Sequence, residues 1–163
     1  MLNEKTRDLQ VVTIDQIDLS KSFVVWSELG QGTQHRLLEK FCEPEYHVCI
    51  LRSNILEFID FMALPVLNKD PALPVWINEL KKVREEGTKK IVLIFDEINI
   101  ASSAAVKAFE ESVTTRTLSG INFAPTDIIM AKGVMDGSGG CRETPVDESV
   151  MDMVNHYTLK PYI

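Results

Sequence analysis

The stretch Ile91-Val92-Leu93-Ile94-Phe95-Asp96-Glu97 decides the fold of this 163-residue chain. Five consecutive apolar residues have the length of a strand covered on both faces, because a half-exposed strand would alternate apolar with polar side chains. The run ends in two adjacent carboxylates. In a parallel sheet such a pair stands at the C-terminal edge, where ligands gather. In nucleotide hydrolases the first acid holds Mg²⁺ through water, and the second orients the attacking water. Asp96 and Glu97 also fit a plainer reading, as the start of a solvated loop that caps a helix.

Outward from this strand, the chain repeats the pattern. Phe23-Val24-Val25-Trp26, Tyr46 to Leu51, Asp127 to Ala131 and Tyr157 to Ile163 are further apolar runs. Between them lie helical stripes. Trp76, Leu80 and Val83 follow Pro74 and stop at Glu85-Glu86-Gly87, while Val106, Phe109 and Val113 follow the N-capping serines Ser102 and Ser103. That second helix is expected to end near Thr114–Arg116, before Gly120. Leu37, Leu38 and Phe41 mark another helix after the first run. Strand–helix alternation of this kind predicts an α/β doubly wound domain. Residues 132–148, with four glycines and one proline, read as a long loop. Residues 1–21 read as an N-terminal arm or an extra strand, and residues 22–163 as the core.

Composition narrows the function classes. The chain carries 17 Lys and Arg against 24 Asp and Glu, a net charge of −7, which weighs against a broad grip on a phosphate backbone. Hydrophobic residues make up 45%, enough to build a core and to argue against disorder. No apolar run approaches the roughly 18 residues that cross a bilayer. Cys42, Cys49 and Cys141 share no CxxC spacing, and His35, His47 and His156 form no ligand pair. A reducing cytoplasm is the expected location, and neither a zinc cluster nor a disulfide scaffold is expected.

Asp96-Glu97-Ile98-Asn99-Ile100-Ala101 and the Ala-rich helix after it resemble the Walker B region of AAA+ ATPases of the MoxR-like branch. Arg52-Ser53-Asn54, Asp60, Ala63-Leu64-Pro65 and Pro74-Val75-Trp76-Ile77 look like that branch's lead into Walker B. Ile128 to Gly133 resembles the strand that ends at the sensor 1 position. The resemblance spans about residues 22–160. It implies a P-loop NTPase-like (AAA+) three-layer αβα core with a mainly parallel five-stranded sheet in the order 5-1-4-3-2. It also implies ring assembly, ATP as ligand, Asp96 as the Mg²⁺-holding acid and Glu97 as its catalytic neighbour.

The chain departs from the family where phosphate is bound. Ser27-Glu28-Leu29-Gly30-Gln31-Gly32-Thr33-Gln34 stands at the Walker A position, GxxxxGK[ST]. Thr33 replaces the lysine that reaches the β- and γ-phosphates, and Gln34 replaces the hydroxyl ligand of Mg²⁺. Gly30, Gln31, Gly32, Thr33 and Gln34 are the candidate nucleotide-binding residues, through backbone N–H groups at a helix start. His35 or Arg36 is the candidate source of positive charge. Without the usual lysine, Glu28, Asp96 and Glu97 are expected to crowd one pocket. No GK[ST] occurs anywhere; Gly87-Thr88-Lys89 precedes a strand, and Asp136-Gly137-Ser138-Gly139-Gly140 reads as a surface loop. Val134 falls at or beside sensor 1, where the family has Asn. No arginine lies near Met153-Val154-Asn155-His156, where the arginine finger is expected, and a C-terminal lid is not expected within residues 22–163.

Two functions follow. The first is a catalytically degenerate AAA+-like protein that acts by binding a protein, by self-association or on a AAA+ ring. The second is an atypical ATP-binding protein or ATPase that uses Asp96 and Glu97 with a borrowed cation. A third class, an unrelated enzyme on the same fold, would need a cysteine nucleophile, and no cysteine here has a base paired with it in sequence.

Overall fold

A computed structural model describes residues 9–28, 32–135 and 143–161. In chain order the strands are β1 (Gln10–Val12), β2 (Phe23–Ser27), β3 (Tyr46–Arg52), β4 (Leu64–Val66), β5 (Lys69–Ala72), β6 (Lys90–Asp96), β7 (Thr117–Leu118), β8 (Ile121–Asn122), β9 (Ile128–Val134) and β10 (Asn155–Leu159). The helices are α1 (Thr33–Lys40), α2 (Val75–Glu86), α3 (Ser103–Thr115) and α4 (Glu148–Met153), with short 3₁₀ turns between. Among the described residues no helix is long and apolar enough to cross a membrane.

The central sheet runs β1-β10-β2-β9-β6-β3, and every pairing in it is parallel. Its inner five strands follow the expected order 5-1-4-3-2. The sheet holds six strands, however, not five, because Gln10–Val12 pairs with Tyr157–Leu159 at the outer edge. Both faces are covered, which is why the strands read as continuous apolar runs. Phe23, Val25, Val92, Ile94, Ile128 and Met130 pack against Leu37 of α1 and Phe41 at its C-cap. Their alternates Val24, Trp26, Leu93, Phe95 and Ile129 pack against Ile77 and Leu80 of α2, Phe109 of α3 and Met151 of α4. The Phe95 and Phe109 rings meet edge to face at 5.3 Å.

Local chemistry sets the helix ends. Gly87, at φ +67°, closes α2 in the left-handed conformation, and its N–H donates to the Val83 carbonyl. Ser102 Oγ accepts the Ala105 N–H to cap α3 and donates to the Leu56 carbonyl, tying α3 to the segment after β3. α3 ends at Thr115, within the expected range, and after the left-handed Arg116 the chain turns into the short β7–β8 hairpin, with Ser119 and Gly120 both at positive φ. A second hairpin, β4–β5, projects between β3 and α2.

Residues 132–148 are not one long loop. β9 runs on through Lys132, Gly133 and Val134, and the helix α4 begins at Glu148. Asp147 caps α4 by accepting the Ser149 N–H, and the Ser149 side chain and backbone donors hold its carboxyl below the usual carboxylate range. The last strand also starts two residues earlier than expected and ends at Leu159.

Candidate functional site

The C-terminal ends of β2, β6 and β9 and the start of α1 converge at one edge of the sheet. The β6–β9 register pairs Phe95 with Ala131, so the next residues, Asp96 and Lys132, stand abreast on the α1 side. Lys132 also pairs with Val25 on β2, which centres it between the two strands. Its Nζ lies 3.3 Å from Asp96 Oδ1 and 3.0 Å from Gln34 Oε1. Both members of the ion pair are largely covered, with 14% of the lysine side chain and 21% of the aspartate exposed.

This arrangement overturns one expectation. The acids do not crowd the edge without a cation, because β9 supplies one. The cations proposed from sequence lie elsewhere. Arg36 is buried in a cleft of about 320 Å³ that it lines with Ile14, Asp15, Glu39 and Glu43. His35 is exposed and sits 3.1 Å from Glu39 one helical turn on.

Asp96 Oδ1 also accepts the Glu97 N–H at 2.9 Å. Glu97 itself is exposed and left-handed, at φ 55° and ψ 48°. A non-glycine residue there costs roughly 1 kcal/mol or more, and such strain concentrates at functional sites. The turn is held in place by Asn99, whose Oδ1 accepts the Val134 N–H and whose Nδ2 donates to the Val134 carbonyl at 3.4 Å. Val134, the residue at the expected sensor 1 position, is therefore held through its backbone. Beneath Asp96, the fully buried Ser53 donates its N–H to the Asp96 carbonyl and accepts the Ser102 N–H.

Gly32 opens α1 at φ +64°, followed by Thr33, which is 5% exposed, and Gln34, which is exposed. Gly30 and Gln31 lie outside the described residues, as does the glycine-rich stretch 137–140. Among the described residues no three or more His, Cys, Asp and Glu side chains converge as metal ligands.

Sequence reasoning missed Lys132 and Asn99 as site residues. A lysine directly after the apolar run 128–131, at the level where β6 ends in Asp96, was the signal for the first. Asn99 stood in the quoted Asp96–Ala101 motif but had no assigned partner.

Of the three cysteines, Cys141 lies outside the described residues, and Cys49 is poorly suited to act as a nucleophile. Cys49 lies on β3, where burial first and Glu79 second push its thiol up to about 12. The thiol form therefore dominates at ordinary pH, and the thiol is a poor nucleophile. Iodoacetamide at about pH 8 is expected to label exposed Cys42 and spare Cys49 in the folded protein, as read by peptide mass mapping. Equal labelling of both would contradict the burial.

No family model matches the chain, and no curated protein sequence matches it. Solved structures do. A Cytophaga hutchinsonii protein assigned as an ATPase matches over 89% of this chain and 43% of its own, at 13% identity and a TM-score of 0.50. A full-length MCM homologue from Methanopyrus kandleri matches over 86% of this chain and 30% of its own, at 13% identity and a TM-score of 0.49. The PCH-2 protein of C. elegans matches over 93% and 38%, at 14% identity and a TM-score of 0.44. The chain thus spans 30–43% of the length of these proteins. With the 5-1-4-3-2 core and helices on both faces, the fold is a P-loop NTPase-like αβα core of the AAA+ type.

Proposed function

We propose that this chain is an AAA+-like core of the MoxR-like branch that has lost ATP turnover and works by binding a protein. The observation that carries the reading is Thr33. It stands where the phosphate-binding lysine is expected, and it is a short, neutral side chain buried at the first position of α1. A group so placed offers no charge to a phosphate and no reach beyond the helix start. The lack of an arginine near residues 153–156, where an arginine finger is expected, supports the same reading.

Protein binding is supported by where apolar surface is left uncovered. Among the described residues, eight of the eleven exposed large hydrophobics fall between Ile55 and Val75, along the segment from the end of β3 through the β4–β5 hairpin to the first residue of α2. Leu67 at the hairpin tip is 88% exposed. Apolar side chains concentrated in this way mark interaction surfaces more than chance exposure does. The free thiols Cys42 and Cys49 suit a cytoplasmic setting.

The test is direct. With Mg²⁺ and millimolar ATP, the protein is expected to show no turnover above the Asp96→Ala variant. Capture from its native host followed by sizing is expected to give a complex or a self-assembled species. Asp96-dependent turnover would overturn the reading, and so would a strictly monomeric protein that recovers no partner. One observation favours the second reading, an atypical nucleotide-binding protein using Asp96 and Glu97: Lys132 brings a cation to the edge. That reading expects Mg²⁺-dependent ATP binding that Asp96→Ala abolishes.

A further inference from the structure

AAA+ chemistry places a divalent cation between the Walker B acid and the residue after the P-loop lysine. Asp96 and Gln34 stand at those two positions. Mg²⁺ there would need oxygen ligands at about 2.0–2.1 Å in near-octahedral array, several of them water. The residues present do not fit it. The space between the two side chains is spanned by an ammonium group, 3.3 Å from Asp96 Oδ1 and 3.0 Å from Gln34 Oε1. A dication beside that ammonium is repelled twice as strongly as a second ammonium would be. Nor is the lysine a solvated side chain free to step aside. It rises from the middle of the sheet between Val25 and Asp96, and its side chain is only 14% exposed. Withdrawing it would leave the partly covered Asp96 carboxylate without its cation.

We propose that Lys132 is the resident cation of this edge, standing in the place of a divalent metal, so that Asp96 recruits neither Mg²⁺ nor Mn²⁺. The inference rests on reading the edge as the counterpart of the AAA+ nucleotide site. It goes beyond lost turnover: the site carries a fixed single charge, and its electrostatics do not respond to free divalent metal or to chelator. Lys132 is then a specificity-determining residue, because its removal is what would open the site to metal.

Mn²⁺ alone is the probe, titrated against the full chain and followed by electron paramagnetic resonance. An acidic chain binds Mn²⁺ at scattered surface carboxylates, so the quantity read is the part lost on Asp96→Asn. Wild type and Asp96→Asn are expected to bind alike. Lys132→Met is expected to gain an Asp96-dependent site at least about tenfold tighter than anything wild type shows there. The double variant should lose it. Lys132→Gln, which keeps a polar head on a shorter, uncharged side chain, serves if Lys132→Met folds poorly. Asp96-dependent Mn²⁺ binding by wild type would overturn the inference, as would no gain in either Lys132 variant. The two readings fail separately: ATP turnover sinks the proposed function, whereas Mn²⁺ held by Asp96 in a protein without turnover sinks this inference alone.

Discussion

Asp127→Ala is expected to cost about 3–5 kcal/mol of stability, the range for stripping one partner from a buried ion pair. For a chain of this size that lowers the melting temperature by roughly 10–15 °C. Asp127 is 2% exposed and immediately precedes β9 at the N-terminal edge of the sheet. Its Oδ1 accepts the Ile91 N–H of β6 at 2.8 Å, and its Oδ2 accepts the Ala124 N–H at 2.7 Å and the Arg84 guanidinium of α2. Arg116, the residue that closes α3, donates to the carbonyls of both Ala124 and Asp127. One carboxylate therefore joins α2, β6, β9 and the turn before β9, while the arginine at the end of α3 fastens to the same turn. Alanine would leave the buried Ile91 N–H, the part-buried Ala124 N–H and the partly exposed Arg84 guanidinium without this partner, and each unsatisfied buried group costs about 1–3 kcal/mol. Asp127→Asn keeps one acceptor and should lose distinctly less. The measurement is thermal unfolding by circular dichroism, and an Asp127→Ala melting point within 2 °C of wild type, on the order of a surface change, would contradict the network.

Gly133→Ala is the second large effect, at about 3 kcal/mol, the upper part of the range for overpacking a core. A Cβ there would stand 2.6 Å from Trp26 Cζ3 and 3.2 Å from Asn99 Oδ1. The indole cannot retreat. It is fully buried, and its Nε1–H donates to His156 Nδ1 at 2.9 Å, while the far nitrogen of that histidine lies 2.8 Å from the Met151 carbonyl. The Asn99 side chain is committed to Val134. Trp26→Phe removes the ring atoms that collide, so the double variant should be more stable than the two single losses predict. Additive losses in denaturant unfolding would show that the contact is not the cause.

How much of this was legible in the sequence depends on the range of the interaction. The α2 ends were readable because Pro74 and Gly87 act on their own neighbours, and Ser102 announced α3 for the same reason. The buried strands were readable because covering both faces forces a continuous apolar run, as in 91–95. The two hairpins were missed, since Asn68 and Ser119 take positive φ without the Asn-Gly or Asp-Gly pairs that signal such turns. α4 was missed because nearby glycines outweighed the Asp147 cap. Lys132 was missed for a deeper reason. Its partners, Asp96 and Gln34, lie 36 and 98 residues away, and only the sheet register and the α1 start bring them to it. Asp127 read as the first residue of a strand, because its role depends on Arg84, 43 residues upstream.

The separation of the two charged centres along β9 has a consequence for how such a chain can change over time. Asp127 and Lys132 stand five residues apart, roughly 16 Å along an extended strand. The first locks the sheet together, and the second faces the edge where ligands bind. A substitution of Lys132 leaves the contacts of Asp127 with Ile91, Ala124 and Arg84 in place. A lineage built on this plan is free to exchange one chemistry for another, or to set chemistry aside, while its architecture stays under separate selection.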